Sequence, residues 1–300
     1  MSDTKALVDA HHHVWDLSLR PQPWLDEPGH EPIRRSFSSH ALHSAATRPI
    51  AGRRLTSTVV VQCVPSVPET RDLLALAESD PLIGAVVGWA DLTSPAIGDV
   101  LDDLRAGPGG RYLRAVRHLV QDESDPHWLG RPDVERGLRA VGRRGLGYDV
   151  LIRSHQFPQA IRLAERLPEL SLVLDHAGKP PLARGELADW ARQVRTLARH
   201  PQVRCKVSGL VTEADHERWT VDDIRPVWDV LLSAFGPERL MFGSDWPVCV
   251  LAGGWNRWAA AVDELLGECS GTEIDAVLAG TATAFYQLTP APAKEETPCS

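Results

Sequence analysis

Apolar and polar positions along this chain recur in one order: a short β-branched run, a polar loop, then a stretch with apolar residues at helical spacing. Runs with strand character cover Leu7–His13, Ser57–Cys63, Ile83–Ala90, Leu113–Val120, Tyr148–Ser154, Ser171–His176, Val203–Ser208 and Leu240–Asp245. The 3.6-residue period predicts helices over Glu69–Ser79, Ala96–Arg105, Asp133–Arg143, Pro158–Arg166, Leu187–Ala198 and Asp222–Phe235. Two more, near Asn256–Leu266 and Glu273–Tyr286, follow the eighth strand. Strands alternating with helices need right-handed crossovers and therefore form a parallel sheet. Eight such units predict an α/β fold, a (β/α)8 TIM barrel. No Gly-x-Gly-x-x-Gly follows a strand, which removes the main signature of a doubly wound nucleotide-binding sheet.

Two segments break the rhythm. Residues 14–56 form a long insertion after the first strand, rich in Trp, Pro and Arg. Loops longer than about 15 residues in a compact domain are usually functional or disordered. Trp15, Trp24 and Phe37 give this one something to pack with, so it reads as a lid. The tail 290–300, rich in Pro, Glu, Lys and Thr, reads as disordered, leaving residues 1–289 as one barrel domain.

Composition narrows the function. Apolar residues make up 43% and charged residues 24% of the 300, which excludes wholesale disorder. With 32 basic against 40 acidic residues the formal charge is −8, so nothing favours a nucleic-acid partner. No apolar run approaches the roughly 18 residues that span a bilayer. The opening Met1-Ser2-Asp3-Thr4-Lys5 runs into a short apolar stretch broken by Asp9, which does not read as a signal peptide. Five cysteines without a Cys-x-x-Cys pair leave an odd thiol and no disulfide framework. A cytoplasmic enzyme or binding protein is the expectation. Oligomeric state is not legible, and a homodimer is allowed.

In such a barrel chemistry collects where strands end. Strand one ends Asp9-Ala10-His11-His12-His13, and His11 and His13, two apart, point to the same side. Two converging imidazoles suit a divalent metal. Strand six stops at Asp175-His176. Asp245 closes an apolar strand, where a carboxylate is costly unless a metal or cation pairs with it. In strand five one parity is apolar (Val150, Ile152), which turns Arg153 and His155 toward the barrel mouth. Arg117 and His118 end strand four, Gln62 lies at the end of strand two, and Lys206 sits in strand seven. His30, His40, His43, His127, His200 and His216 fall in loops or helical stretches and read as surface residues.

This ordered set resembles the amidohydrolase superfamily, and within it the lactonase branch of fuconolactonase-like, rhamnonolactonase-like and 2-pyrone-4,6-dicarboxylate lactonase-like proteins. The stretches that carry it are Val8-Asp9-Ala10-His11-His12-His13-Val14-Trp15, Pro23-Trp24-Leu25, Val61-Gln62-Cys63, Val116-Arg117-His118, Leu174-Asp175-His176-Ala177-Gly178-Lys179-Pro180, Cys205-Lys206-Val207-Ser208-Gly209-Leu210 and Phe242-Gly243-Ser244-Asp245-Trp246-Pro247. The resemblance implies a hydrolase that opens a small-molecule lactone, a sugar-derived aldonolactone first among them. Asp245 would be the general base and His176 a second catalytic group. It also implies one divalent ion, zinc or manganese, on His11, His13 and Asp245 with His155 or His176, although related proteins work without metal. Arg117, His118, Gln62, Arg153, Trp15 and Trp24 would bind substrate. A metal-dependent decarboxylase of an aromatic or muconate-type acid, or a metabolite-binding barrel without activity, uses the same scaffold.

Overall fold

The computed structural model describes residues 5–288, so the expected disordered tail lies outside the described residues. Eight parallel strands follow one another in chain order: β1 (Ala6–His12), β2 (Arg54–Val61), β3 (Ile83–Gly88), β4 (Leu113–His118), β5 (Gly147–Val150), β6 (Leu172–Leu174), β7 (Val203–Val207) and β8 (Leu240–Phe242). The chain just past β8 returns to β1, where Asp245 N donates to His11 O (2.8 Å) and His13 N to Trp246 O (2.7 Å). Between strands run α2 (Val67–Ser79), α3 (Ile97–Ala106), α4 (Pro132–Arg143), α5 (Phe157–Arg166), α6 (Leu187–Leu197) and α7 (Val221–Phe235), with α1 (Ser39–Ala45) inside the insertion. After β8 come α8 (Gly254–Leu265), α9 (Gly271–Asp275) and α10 (Thr281–Tyr286). Start signals behave as local chemistry dictates: Ser66 caps α2 by accepting from Glu69 N, with a proline in the first turn.

The strands are shorter than the apolar runs suggested, especially β5, β6 and β8. Pairing stops where the site residues begin, so Asp175, His176 and Asp245 stand on loops beyond the ladder. Residues such as Val60, Val86, Val116, Leu172, Cys205 and Phe242 pack outward against the helices in the main core. A smaller apolar cluster fills the lumen: Val8, Ala10, Val59, Val61, Ala85, Val87, Ala115, Val173 and Met241, joined by Ala282, Tyr286 and Leu288 from the C-terminal segment. Each inward row then turns polar toward the strand ends, with Ala115 followed by Arg117, Gly147 by Asp149 and Val173 by Asp175. On β1 a register irregularity between Asp9 and His12 interrupts strict alternation.

The insertion after β1 is built of short turns, Pro23–Asp26 and Glu31–Ile33, followed by α1. Trp15 and Phe37 exchange backbone hydrogen bonds, and Trp15 packs edge-on against Trp24 and Phe37. Phe37 in turn meets Trp246 just after β8. Among the described residues no helix is long and apolar enough to cross a membrane.

Candidate active site

At the C-terminal end of the lumen three donor atoms converge. His11 Nε2 lies 3.2 Å from His13 Nε2, and Asp245 Oδ1 lies 3.8 Å and 3.6 Å from them. An ion with bonds of about 2.0–2.1 Å in tetrahedral geometry has ligand–ligand edges of about 3.3–3.4 Å. This N/N/O set therefore has the spacing to hold a divalent metal. His13 is prepared for that role, because Nδ1 donates to Val61 O (2.7 Å) and leaves the Nε2 lone pair facing the others. Burial, with Lys206 alongside, holds His11 well below the usual histidine range. Burial also lowers His176 to about 4, so both rings are neutral near pH 7. For Asp245 burial alone would raise the pKa, but His176 and His13 outweigh it and hold the carboxylate below its ordinary range. Two neutral rings beside an ionised carboxylate suit a cation or a water molecule about to lose a proton.

Unusual backbone delivers these groups. His176 (φ 51°), Ala177 (φ 52°), Gly178 (φ 69°) and Lys179 (φ 54°) form a left-handed turn after β6, and Asp245 (φ 55°) is left-handed too. Each non-glycine residue there costs about 1–2 kcal/mol, a strain the surrounding core must hold. His176 Nδ1 is hydrogen-bonded to Ser208 Oγ (2.9 Å). Ser208 is fully buried and does not line the cavity, so it orients the ring rather than attacking substrate. Gly209 makes the approach feasible: a Cβ there would lie 2.5 Å from His176 Nδ1 and 3.1 Å from Asp245 Oδ2. Asp9 ties the two ends of the site together, accepting from His11 N (3.1 Å) and Ser244 N (2.7 Å).

Behind the histidines lies a layer of buried charge. Lys206 Nζ sits 2.6 Å from Asp149 Oδ2, 3.0 Å from Asp175 Oδ1 and 3.0 Å from His11 Nδ1. Arg117 Nη1 donates to Asp175 Oδ2 (3.2 Å), and its Nη2 to Gln62 O. Burial would push Asp175 up, but Lys206, His11 and Arg117 hold it well below the carboxylate norm. A cavity of about 670 Å³ opens above, lined by His13, Arg117, His176 and Asp245 at its floor, with Trp24 and Arg153 among the walls. Cys63 also faces it, but burial and Glu69 raise its thiol far above normal, which makes it a poor nucleophile.

The structure brings together His11, His13, His176, Asp245 and Arg117, with Trp24 and Arg153 farther out. Four expected residues lie elsewhere. His155 is exposed in the turn Ser154–Gln156, because β5 ends at Val150, and it is not part of the donor cluster. His118 points to the opposite side of β4 from Arg117 and stacks on Trp128 (4.0 Å), taking a hydrogen bond from Trp89 Nε1. Gln62 is buried beneath the cavity and donates to Arg117 O (3.2 Å). Trp15 supports Trp24 from behind without reaching the cavity. Conversely, His30 and His216, read as surface residues, line the cavity wall. Asp149 within β5 and Asp175 directly after β6 carry the same sequence signal as Asp245, a carboxylate in or ending an apolar strand.

The amidohydrolase family model matches residues 8–288. The chain is 38% identical to an L-fucono-1,5-lactonase of Burkholderia multivorans, covering 95% of this chain and 97% of that protein. An L-rhamnono-gamma-lactonase of Scheffersomyces stipitis is 25% identical over 61% of this chain and 62% of its own length. A crystal structure of an amidohydrolase from Burkholderia multivorans with bound zinc superposes with a TM-score of 0.87 at 36% identity, covering 95% of this chain and all of that one.

Proposed function

This chain belongs to the amidohydrolase family, and from that membership we propose that it is a lactonase opening a neutral, hydroxylated sugar lactone of the L-fucono-1,5-lactone type. The observation that carries the reading is the ionised Asp245 carboxylate beside His13 and the neutral His176 ring at the floor of the cavity. Asp245 Oδ1 faces His11 and His13, which leaves Oδ2 to take the proton of the attacking water and return it to the departing ring oxygen. His176, fixed through Nδ1 by Ser208, offers Nε2 to the substrate. The Arg117 guanidinium lies where it can stabilise negative charge on the carbonyl oxygen. A divalent ion, zinc in the related crystal structure, would be held by His11, His13 and Asp245 and would supply, when bound, polarisation of the carbonyl and acidification of water.

Charge argues for a neutral substrate. The cavity is lined by three cations, Arg117, Arg153 and Lys179, and four carboxylates, Glu27, Asp122, Glu213 and Asp245. Each cation has a carboxylate neighbour: Asp175 for Arg117 (3.2 Å), Asp122 for Arg153 (4.0 Å) and Glu213 for Lys179 (3.4 Å). A dicarboxylated pyrone or an aromatic acid would have to displace one of these partners, whereas hydroxyl groups need none displaced. Trp24 offers an apolar face to the ring of a sugar. The four cysteines among the described residues are all thiols, which supports a cytoplasmic setting.

The test is a panel of L-fucono-1,5-lactone, other aldonolactones, a pyrone dicarboxylate and hydroxybenzoates, followed by proton release and carbon dioxide release. Aldonolactone turnover well above the acidic compounds is expected. Preference for a dicarboxylate, or decarboxylation, overturns the reading.

A further inference from the structure

The buried charge behind His11 continues away from the cavity, toward the other end of the barrel. Asp149 Oδ2 accepts from Lys206 Nζ (2.6 Å) and also from the Tyr286 hydroxyl (2.8 Å). Tyr286 belongs to α10, the last helix, and is fully buried in the apolar cluster that closes the lumen, with Val8, Val59, Val61 and Met241 among its neighbours. Its ring centroid lies 5.4 Å from Lys206 Nζ. We propose that Tyr286 is a positioning residue for His11, acting through Asp149 and Lys206.

The argument follows the freedom each group has. The backbone of His11 is fixed on β1, and its ring meets His13 Nε2 (3.2 Å) and Arg117 Nη1 (3.4 Å) at Nε2 and Lys206 Nζ (3.0 Å) and Asp175 Oδ1 (3.4 Å) at Nδ1. Lys206 carries its ammonium on a flexible four-carbon stem, so Nζ rests where its acceptors hold it. One Lys206 proton goes to Asp149 Oδ2, and the ammonium is ion-paired with Asp175 Oδ1 (3.0 Å) and lies 3.0 Å from His11 Nδ1. Asp149 has little else to fix it, because Oδ1 has no hydrogen-bond partner among the described residues. Its carboxylate plane is therefore set by Lys206 on one side and Tyr286 on the other. Losing the hydroxyl frees Asp149 to turn, the ammonium follows, and the ring of His11 loses its Lys206 contact on the Nδ1 side.

A purely structural role would look different. Barrel interiors are ordinarily layered with branched apolar side chains, and a buried ion cluster is on its own weak evidence for stability. Here Arg117 and Lys206 balance Asp149 and Asp175, and the chain of contacts runs directly to an imidazole of the candidate site.

The proposal rests on the lactonase reading only for its kinetic readout, so the deciding measurement is spectroscopic. Tyr286→Phe keeps the ring and removes one oxygen. Metal-free protein labelled with 15N-histidine is compared with the variant by imidazole 15N spectra, with His11 assigned from a His11→Gln sample. The His11 nitrogens are expected to shift while exposed His40 and His43 stay in place. Zinc affinity from chelator competition is expected to fall by less than the roughly 10–100-fold typical of removing a direct hydrogen-bond partner of a metal ligand. On lactone, kcat should fall with KM within about two-fold of wild type. Unchanged His11 signals in folded Tyr286→Phe overturn the proposal, whatever happens to the melting temperature. If wild type turns over no lactone, the lactonase reading fails, yet the imidazole spectrum still decides this one.

Discussion

Replacing Gly209 by alanine adds one methyl group at the point where the left-handed turn after β6 meets the loop after β7. That methyl would sit 2.5 Å from His176 Nδ1 and 2.7 Å from its Cγ, with Asp245 Oδ2 at 3.1 Å. Ordinary carbon contact begins near 3.4 Å, so the ring must retreat by 3.4 − 2.5 = 0.9 Å. A retreat of that size breaks or bends the hydrogen bond to Ser208, now 2.9 Å. Misplacement by about 1 Å can cost about 10²-fold in rate, and that is the fall expected in kcat/KM. Stability should drop as well, by about 1–3 kcal/mol for overpacking and about 1–2 kcal/mol for alanine at φ +61°.

Gly145→Ala is the matched control. Its φ is +68°, but no heavy atom lies within 4 Å of the added Cβ, so it carries the backbone strain without the collision. The assay is lactone hydrolysis per folded molecule, read by a pH indicator, with urea unfolding on the same preparations. Gly145→Ala should lose about 1–2 kcal/mol and keep its turnover. Gly209→Ala at wild-type kcat/KM would refute the claim that this glycine sets the His176–Asp245 geometry. Equal activity loss in both variants would trace the effect to strain alone.

Other consequences are equally open to measurement. Asp245→Asn retains a residue type that tolerates the left-handed backbone, so the fold should persist while kcat falls about 10²–10⁴-fold; an early-melting variant with normal turnover would remove the general-base assignment. Treatment with a strong chelator should abolish activity and zinc should restore it, whereas full activity in protein shown metal-free by elemental analysis would assign the chemistry to Asp245, His176 and Arg117 alone. His118 accepts from Trp89 Nε1 at Nδ1 and faces Glu123 through Nε2, an arrangement that suits the neutral ring, and burial holds its pKa below normal despite Glu123. Because that folded pKa is depressed, the contribution of His118 to stability is present above the unfolded value of about 6.5 and is lost as pH falls below it. Urea unfolding at about pH 7 and about pH 5 should therefore show a smaller pH difference in His118→Gln than in wild type, and identical differences would contradict the assignment.

Much of this was legible in the chain itself. Alternation of β-branched runs with helical periods determines eight strand–helix units, because side-chain periods of two and 3.6 are local properties of backbone geometry. The spacing of His11 and His13 places both on one face for the same reason, and Asp245 stands out as a carboxylate ending an apolar strand. The end of each strand is not local in this sense. Val150 ends β5 early, so the chain turns and His155 is carried outward, although its parity pointed to the barrel mouth. Parity on β4 separates Arg117 from His118, and one residue enters the lumen while its neighbour packs beneath a tryptophan. Closure of the barrel decided the rest. Asp149 on β5, Asp175 after β6, Lys206 on β7, His11 on β1 and Tyr286 on α10 meet only because the sheet curls round and the last helix plugs it. Burial at that meeting point, which no single segment encodes, turns isolated polar residues into a connected set of charges with little water to screen them.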